Sequence, residues 1–534
     1  MSAVVTPVAP ESDAAGKAAT RSGGRRLLAG IALSLLSAAL MVMAQREYGG
    51  LWPLAFVAVV PAIVAAYRLM PRGLSGVPLG IAWLGYWLAW GLLNTQIAPV
   101  WSLVLGAAIF GVIGALISSF DRRLAELTGY RFFLLGLPVT WTAFDMLFGQ
   151  TLIIGGEGQY SSLVAPAPLL LQPLSLVGQS GLTFWLVMVN CAIALGVIAL
   201  IDRRWAPKDS IPVRVPVPSR SLREVLATGA VVSVAWLVVG AVIFGQVRST
   251  EGPSVRVAAI QPGPGMGYDA AGIGVDTPEL RAKLVEMTKQ AAAQGAQLAV
   301  WGEQVLKFDP RTDPNLFVQE TARQTGMYIQ TGWSVGELPL ASNMTGLWDP
   351  QGDLVGIYYK IDPVIIGNED FVQPVRYPVF ETSLGTIAMI ICFDFSFEEP
   401  TRQMVNGGAQ LMGASVGDWS ILAPSRIATV QLRAAENRVS FVKSESINGS
   451  AIVDATGTIV SSADMGPDGG EALLVADVPL GPRGAPYTSL GPLFGYLCVL
   501  LLVGRIALQV RLEVVARRRV LAAGRLHATA GTAT

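Results

Sequence analysis

Long apolar runs fill the N-terminal half of the chain, and one more stands alone near its C-terminus. The runs cover 27–44, 51–67, 73–94, 98–120, 132–148, 182–201, 226–244 and 490–510. Each approaches the length of about 20 residues that a helix needs to cross about 30 Å of hydrocarbon. The pattern therefore predicts about eight membrane spans, of which the second is short and broken by Pro61.

Between the last two runs the pattern changes to short buried strands that alternate with amphipathic helices. Strands are predicted at 255–260, 297–301, 327–335 and 409–415, and helices at 277–295 and 425–440. Thr277 caps the first of these helices, and Pro278 fits its first turn. Hairpins are predicted for 342–348 with 354–360 and for 440–454 with 458–462. Strands, helices and hairpins in this order indicate an α/β domain with stacked sheets.

The composition agrees with several bilayer-spanning helices. Hydrophobic residues make up 52% of the 534 residues, charged residues 14%, and the mean hydropathy is +0.50. We divide the chain into a disordered cytoplasmic tail, a membrane domain of about seven helices, the α/β domain, a last transmembrane helix and a basic cytoplasmic tail. These segments are 1–24, 25–245, 246–487, 488–511 and 512–534. The first run could be a signal peptide, but an uncleaved span is favoured because further spans follow at once.

Arginines gather in alternate loops, which predicts the orientation of the chain. The basic loops include Arg68, Arg72, Arg122, Arg123, Arg131, Arg203, Arg204, Arg220 and Arg223, and the tail adds Arg511, Arg517, Arg518 and Arg519. Of the intervening loops, 45–50 holds only Arg46, and 95–97 and 149–172 hold no lysine or arginine. The positive-inside rule then places both termini in the cytoplasm and the α/β domain outside it. The net charge of +0 gives no field that would attract nucleic acid.

A buried strand that ends in a cysteine carries the candidate chemistry. The apolar residues 387–391 run into Cys392, and Pro400 suggests a helix just downstream. A cysteine placed there could be a nucleophile whose following backbone N–H groups face an oxyanion. A buried structural cysteine is the alternative and is the more common fate of a lone cysteine.

The rest of the chain restricts the partners that such a nucleophile can have. Cys191 and Cys498 fall in apolar runs, and the single histidine, His527, lies in the C-terminal tail. A Cys–His pair and a zinc site of several histidines are therefore excluded. The base must be a carboxylate or a lysine, and we expect no metal and no cofactor.

Two further charged residues end predicted strands. Glu303 comes just after Trp301, and Lys360 ends the strand at 354–360. Taken singly, Glu303 is as easily a capping or surface carboxylate, and Lys360 is more readily a surface lysine with a buried stem. Together with Cys392 they could share one edge of a sheet, and the set of three indicates catalysis.

These motifs resemble a known family. Trp301-Gly-Glu303, Tyr359-Lys360 and Ile391-Cys392-Phe-Asp394 are similar to the Glu–Lys–Cys triad of the nitrilase superfamily. The flanking sequences fit as well, among them 342–343, 349–352, 432–437, 448–449 and 453–457. A nitrilase-like domain between membrane spans resembles the apolipoprotein N-acyltransferases. The resemblance implies an αββα sandwich outside the cytoplasm, attached to a multi-span α-helical membrane domain.

The resemblance also implies an activity and a set of site residues. Glu303 would be the base, Lys360 the cation and Cys392 the nucleophile. Phe393, Asp394 and Glu369 would form the oxyanion site and its surroundings, and Tyr359 and Trp419 would bind substrate. The reaction would move a fatty acyl group from a phospholipid to the α-amino group of a diacylglyceryl-cysteine at the N-terminus of an apolipoprotein. The protein would be a monomer in the bacterial inner or plasma membrane.

This chain departs from the family pattern at two points of the site. The carboxylate that follows the lysine comes one residue late, at Glu369, and the usual Tyr-Glu after the cysteine is Phe393-Asp394. Two other functions therefore stay open. One is a membrane-tethered amidase or nitrilase that hydrolyses a small extracytoplasmic C–N substrate with the same triad. The other is a non-catalytic scaffold that keeps the fold.

Overall fold

The computed structural model describes residues 12–152, 155–204, 215–250, 252–264, 276–336, 342–365, 369, 375–481 and 484–530. The helices of its N-terminal part are α1 (Ser12–Ala44), α2 (Val60–Val64), α3 (Val77–Leu92), α4 (Val100–Ser119), α5 (Asp121–Leu127), α6 (Leu137–Phe148), α7 (Pro168–Leu171), α8 (Leu174–Arg204) and α9 (Ser219–Ser249). The later helices are α10 (Pro278–Ala293), α11 (Phe317–Thr325), α12 (Glu398–Asn406), α13 (Ala423–Asn437), α14 (Pro486–Leu490) and α15 (Leu493–Ala530).

Helices occupy all of the predicted membrane runs, but they differ in length. Within the part of the chain that the structure describes, six helical segments are long and apolar enough to cross a bilayer: Gly24–Ala44, Trp52–Leu69, Val100–Leu127, Leu174–Arg204, Ser219–Ser249 and Leu493–Val515. The predicted third and fifth spans are shorter, since α3 has 16 residues and α6 has 12. The number of spans therefore stays a prediction for these two helices.

The two tails are more helical than the sequence indicated. α1 begins at Ser12, inside the tail 1–24 that we expected to be disordered, and residues 1–11 lie outside the described part. The alanines of this stretch are strong helix formers, and they extend the first span toward the N-terminus. At the other end α15 continues to Ala530, through most of the predicted basic tail.

The domain after α9 contains two six-stranded sheets. Its strands are β1 (Ser254–Gln261), β2 (Leu298–Val300), β3 (Tyr328–Val335), β4 (Ser342–Trp348), β5 (Leu354–Tyr359), β6 (Phe380–Thr382), β7 (Gly385–Ile391), β8 (Leu411–Val416), β9 (Ser440–Glu445), β10 (Ser450–Val453), β11 (Ile459–Ala463) and β12 (Ala472–Pro479). The sheet orders are β12-β1-β2-β3-β4-β5 and β11-β10-β9-β8-β7-β6. In each sheet three central strands run parallel, so their carboxyl ends meet at one edge.

Apolar faces join the two sheets into a sandwich. Val257 and Val300 of the first sheet share a buried cluster with Met389, Met412 and Phe441 of the second. On the outside, α10 and α11 pack on the first sheet, and α13 contributes buried residues against the second. The predicted αββα arrangement is confirmed.

The last predicted hairpin is confirmed by the antiparallel pairing of β10 with β11, but the predicted extent of its first strand is wrong. We expected one strand over 440–454, whereas the chain turns back within it and forms β9 and β10, an antiparallel pair. Gly449 has a φ of +94°, which permits the reversal at this point. β12, which pairs antiparallel with β1, was not predicted.

Several loops of the membrane domain contact the α/β domain. The Arg46 guanidinium donates to the Pro424 carbonyl at 3.2 Å, and the Gln172 amide donates to the Thr456 carbonyl at 2.8 Å. Arg46 and Gln172 belong to the arginine-poor loops that were predicted to share one face. All of these loops therefore lie on the side of the α/β domain, and the placement of that side outside the cytoplasm stays a prediction.

Candidate active site

The carboxyl ends of three strands bring the predicted triad into one buried region. Glu303 follows β2, Lys360 follows β5, and Cys392 follows β7 as the first residue of a 3-10 helix, Cys392–Ser396. The Lys360 Nζ lies 3.1 Å from the Glu303 Oε1. All three residues are buried, with exposed fractions of 5%, 2% and 4% in the order given.

Glu303 is fixed by hydrogen bonds from two other strands. The Asn343 side-chain amide of β4 donates to Oε1 at 2.6 Å, and the Gly417 N–H after β8 donates to Oε2 at 3.1 Å. Burial raises the pKa of the Glu303 carboxyl, and the nearby Lys360 ammonium only partly offsets this effect. A carboxylate with a raised pKa is a better proton acceptor than an ordinary one.

Lys360 stands between two carboxylates. In addition to Glu303, its Nζ contacts both carboxylate oxygens of Glu369, at 3.0 and 2.9 Å. Burial disfavours the ammonium, but the charges of Glu303 and Glu369 outweigh it and raise the pKa of Lys360 well above its ordinary value. Lys360 is therefore a permanent cation, and Glu369 reaches it although it comes one residue late in the sequence.

The Cys392 thiol has partners that the sequence analysis did not name. Its Sγ–H donates to the Asp418 Oδ1 at 3.4 Å, and the Arg426 Nη2 donates to Sγ at 3.4 Å. The backbone at Cys392 has a φ of +38°, an unfavourable conformation for a residue with a side chain and one that is often found at functional sites. Burial, followed by the charges of Asp418 and Glu303, raises the pKa of the thiol. The resting site therefore holds a protonated thiol.

Asp418 is the carboxylate in contact with the thiol, but its lowered pKa makes it a weak base. Burial favours the neutral acid, whereas the Arg426 guanidinium and the Lys443 ammonium lower the pKa of Asp418 below its ordinary value. Glu303 has a raised pKa, so it is the better candidate for taking a proton. Asp418 is suited to orienting the Sγ–H group.

Asp394 and Phe393 lie beside the site in structural positions. The Asp394 carboxylate accepts from the Tyr358 hydroxyl at 2.7 Å and from the Asp362 N–H at 2.8 Å. These bonds hold the backbone on both sides of Lys360. The Phe393 ring is buried and packs edge-on against Phe397, with centroids 5.2 Å apart. Their predicted roles at the oxyanion stay predictions.

The two predicted substrate-binding residues differ in environment. Tyr359 is 39% exposed at the end of the edge strand β5. Trp419 is buried, and its indole N–H donates to the Leu93 carbonyl of the membrane domain at 2.7 Å. In this structure Trp419 therefore joins the two domains, and its binding of substrate stays a prediction.

Replacing Trp419 with phenylalanine should loosen this junction. The change keeps a ring in place but leaves the Leu93 carbonyl without its donor, at a cost of about 1–3 kcal/mol. We expect faster amide hydrogen exchange around residues 93–97 and a lower melting temperature in detergent.

Trp301→Phe is the matched control, because its buried indole bonds to Thr288 at 3.1 Å within the α/β domain. That variant should leave exchange at 93–97 unchanged. Wild-type exchange and melting in Trp419→Phe, with turnover lost, would instead assign the indole to substrate.

The residues missed from the sequence all contact the predicted triad or its partners. Asp418, Arg426 and Glu157 are the main ones, and Asn343 had been recognised only as part of a flanking motif, without a role. Position at a strand end could have indicated Asp418, which follows β8 as Cys392 follows β7. Arg426 lies inside a helix and Glu157 in a distant loop, and no local pattern links either to the thiol.

Comparison with known proteins places this site in a family context. Residues 256–485 match the carbon-nitrogen hydrolase family, and residues 37–192 match the apolipoprotein N-acyltransferase N-terminal domain. An apolipoprotein N-acyltransferase from Geobacter metallireducens is 26% identical over 519 residues, covering 88% of this chain and 92% of its own. The chain belongs to the apolipoprotein N-acyltransferase family.

Two further similar proteins cover different shares of this chain. An apolipoprotein N-acyltransferase from Chlorobaculum tepidum is 23% identical and covers 84% of this chain and 90% of its own. Among solved structures, an amidase of the nitrilase superfamily from Nesterenkonia is 19% identical, with a TM-score of 0.35, and covers 45% of this chain and 95% of its own. Family membership, together with six helices able to span a bilayer, makes this a bacterial membrane protein.

Proposed function

We propose that this acyltransferase moves a fatty acyl group from a phospholipid, through a thioester on Cys392, to the α-amino group of a diacylglyceryl-cysteine at an apolipoprotein N-terminus. The observation that carries the proposal is the Glu303–Lys360 pair, 3.1 Å apart, buried with Cys392 beside loops of a membrane domain. Lipoprotein N-acylation is the activity named for relatives that cover 84–88% of this chain.

In the first half-reaction the thiol becomes acylated. Glu303 takes the Sγ–H proton while sulfur attacks the ester carbonyl carbon of the phospholipid. The Lys360 ammonium and the Phe393 N–H stabilise the tetrahedral oxyanion. The C–O ester bond then breaks, Glu303 returns its proton to the leaving alkoxide, and a lysophospholipid departs.

In the second half-reaction an amine replaces the sulfur. The α-amino nitrogen attacks the thioester carbonyl, and Glu303 takes the proton that the nitrogen loses. The C–S bond breaks, an amide forms, and the thiolate regains the proton from Glu303. Each half-reaction therefore begins and ends with an ionised Glu303, and the enzyme needs no other proton source.

The raised pKa of the thiol explains why Glu303 is needed. A free cysteine is already a few per cent thiolate at neutral pH. Here burial and the charges of Asp418 and Glu303 disfavour the thiolate, so the proton must leave as sulfur attacks. Burial also limits the access of water, which favours transfer to an amine over hydrolysis.

The orientation of the domains follows from where the substrates would lie. Both proposed substrates are anchored in the outer leaflet, and the arginine-poor loops face the α/β domain. We propose that this domain lies outside the cytoplasm, with both termini inside, in the bacterial inner or plasma membrane. Residues such as Leu93 and Glu157 would then hold the site at the bilayer surface.

The test is acyl transfer by the purified full-length protein in nanodiscs that contain phospholipid. A synthetic peptide with an N-terminal diacylglyceryl-cysteine should become N-acylated, with an equal amount of lysophospholipid formed. The same peptide with an acetylated amine should not react. Free fatty acid without acylated peptide would contradict transfer to the amine. Ammonia from small amides, without acyl transfer from phospholipid, would favour an amidase or nitrilase. No product from either class of substrate would favour a scaffold.

A further inference from the structure

Arg426 is a buried arginine whose guanidinium contacts three separate parts of the molecule. Its Nε donates to the Asp418 Oδ2 at 2.6 Å, and its Nη2 donates to the Cys392 Sγ at 3.4 Å. Its Nη1 donates to the Glu157 Oε1 at 2.6 Å and to the Ser396 hydroxyl at 2.7 Å. The side chain is 3% exposed, so its planar fork is held on every side.

Arg426 is the cation in direct contact with the sulfur. The other cation of the site, Lys360, makes its hydrogen bonds to Glu303 and Glu369. Asp418 and Glu303 place negative charge near the thiol, whereas Arg426 and Lys360 oppose it. An opposite charge in contact with a titratable group favours its charged form. Arg426 therefore favours the thiolate, and Asp418 opposes it.

Glu157 links this arginine to the membrane domain. It lies between α6 and a 3-10 helix, Tyr160–Val164, and it also accepts from the Ser396 hydroxyl at 2.6 Å. Thr429, one turn after Arg426 on α13, donates to the same carboxylate at 3.3 Å. Groups from the 3-10 helix of Cys392, from α13 and from the membrane domain thus fix the position of the guanidinium.

We propose that Arg426 is a positioning residue of the acyl-transfer reaction, which fixes the Cys392 sulfur against the membrane-domain loop of Glu157 and stabilises its thiolate. This inference rests on the proposed function. Asp418 acts in the opposite direction, because it accepts a hydrogen bond from the Sγ–H group and keeps the thiol protonated until substrate arrives.

The rate at which iodoacetamide alkylates Cys392 tests the opposite effects of Arg426 and Asp418 on the thiolate, because only the thiolate reacts. The full-length protein is treated in detergent at a fixed pH of about 9, and the Cys392 peptide is quantified by mass spectrometry. Arg426→Gln should slow alkylation about tenfold or more, the effect of removing an opposite charge worth about one pKa unit. Asp418→Asn should accelerate it by a similar factor.

The opposite directions separate this effect from misfolding. Unfolding exposes the thiol and therefore speeds alkylation. Glutamine is smaller than arginine, so the substitution does not block access of iodoacetamide to the thiol. Neither unfolding nor steric hindrance can therefore explain a slower rate in the Arg426→Gln protein. Arg426→Gln removes the ion pairs that Arg426 makes with Asp418 and with Glu157, and the double variant with Glu157→Gln also removes the charge of Glu157 and should be equally slow. Arg122→Gln is the control, because Arg122 is a buried arginine of α5 that pairs with Glu126 at 2.9 Å in the membrane domain, and its loss should leave the rate unchanged.

An unchanged or faster rate in both Arg426 variants, or equal shifts in the Arg426→Gln and Asp418→Asn proteins, would overturn the inference. If the alkylation rates contradict the inference in this way while wild-type Cys392 still forms an acyl-enzyme from phospholipid, only the positioning role of Arg426 is overturned, and the proposed function stands. If Arg426→Gln slows alkylation but the wild-type protein forms no acyl-enzyme from phospholipid, the effect of Arg426 on the thiolate is kept and the proposed function is rejected.

Discussion

Replacing Cys392 with alanine or with serine should reduce acyl transfer by about 10⁴-fold or more, the scale of loss when the nucleophile of a catalytic triad is removed. Alanine has no nucleophile. Serine keeps an oxygen in the same place, but its hydroxyl is a far weaker acid than a thiol. Glu303 has a raised pKa but remains a carboxylate, and the site contains no imidazole to assist it.

Acyl transfer is measured as N-acylated peptide formed in nanodiscs, with membrane insertion checked for each variant. Cys498→Ala is the matched control, because Cys498 is a buried thiol of α15 that packs in a separate cluster with Val139 and Ala143. That variant should transfer at the wild-type rate. Substantial transfer by Cys392→Ser or Cys392→Ala would remove the nucleophile from the proposed mechanism.

Replacing Glu303 with glutamine should change the rate of acylation of Cys392 by phospholipid and its rate of alkylation by iodoacetamide in opposite directions. The amide keeps the shape of the side chain but cannot take a proton, so thioester formation should fall by about 10²–10⁴-fold. The same change removes a negative charge that raises the pKa of the Cys392 thiol. Alkylation of Cys392 by iodoacetamide should therefore become faster while acylation by phospholipid becomes slower.

Both quantities are read from one Cys392 peptide by mass spectrometry, after separate treatment with phospholipid and with iodoacetamide. Glu126→Gln serves as the control, because Glu126 is a buried carboxylate of α5 that pairs with Arg122 at 2.9 Å in the membrane domain. It should leave the alkylation rate unchanged. A normal yield of acyl-enzyme from the Glu303→Gln protein would contradict the assignment of Glu303 as the base.

Short-range sequence patterns predicted individual strands and the start of a helix. Apolar runs located the strands that end at Glu303 and Cys392, because these two strands are buried on both faces and read as continuous apolar stretches. The strand that ends at Lys360 is a partly exposed edge strand, and it was located as one arm of a predicted hairpin. Thr277 caps its helix as predicted, with the Leu280 N–H donating to its hydroxyl at 3.1 Å. The division of 440–454 into β9 and β10 was missed, although Asn448-Gly449 lies between the two strands and Asn-Gly is a strong signal for a hairpin turn.

The surroundings of the thiol could not be read from such patterns. Glu157 and Arg426 are 269 residues apart in sequence, and only the docking of the two domains brings them together. Glu369 was found through its resemblance to a family position, and its 2.9 Å contact with Lys360 shows how the one-residue displacement is absorbed. Trp419 was assigned to substrate, whereas its described contact is the Leu93 carbonyl.

The most direct measurement is the mass of the Cys392 peptide after the purified protein is incubated with phospholipid and no acceptor. The peptide should gain the mass of one fatty acyl group minus one hydrogen, should lose it on treatment with hydroxylamine, and should lose it to an added diacylglyceryl-cysteine peptide. Release of lysophospholipid with Cys392 unmodified, or an acyl group found on another residue, would contradict a thioester mechanism at this site.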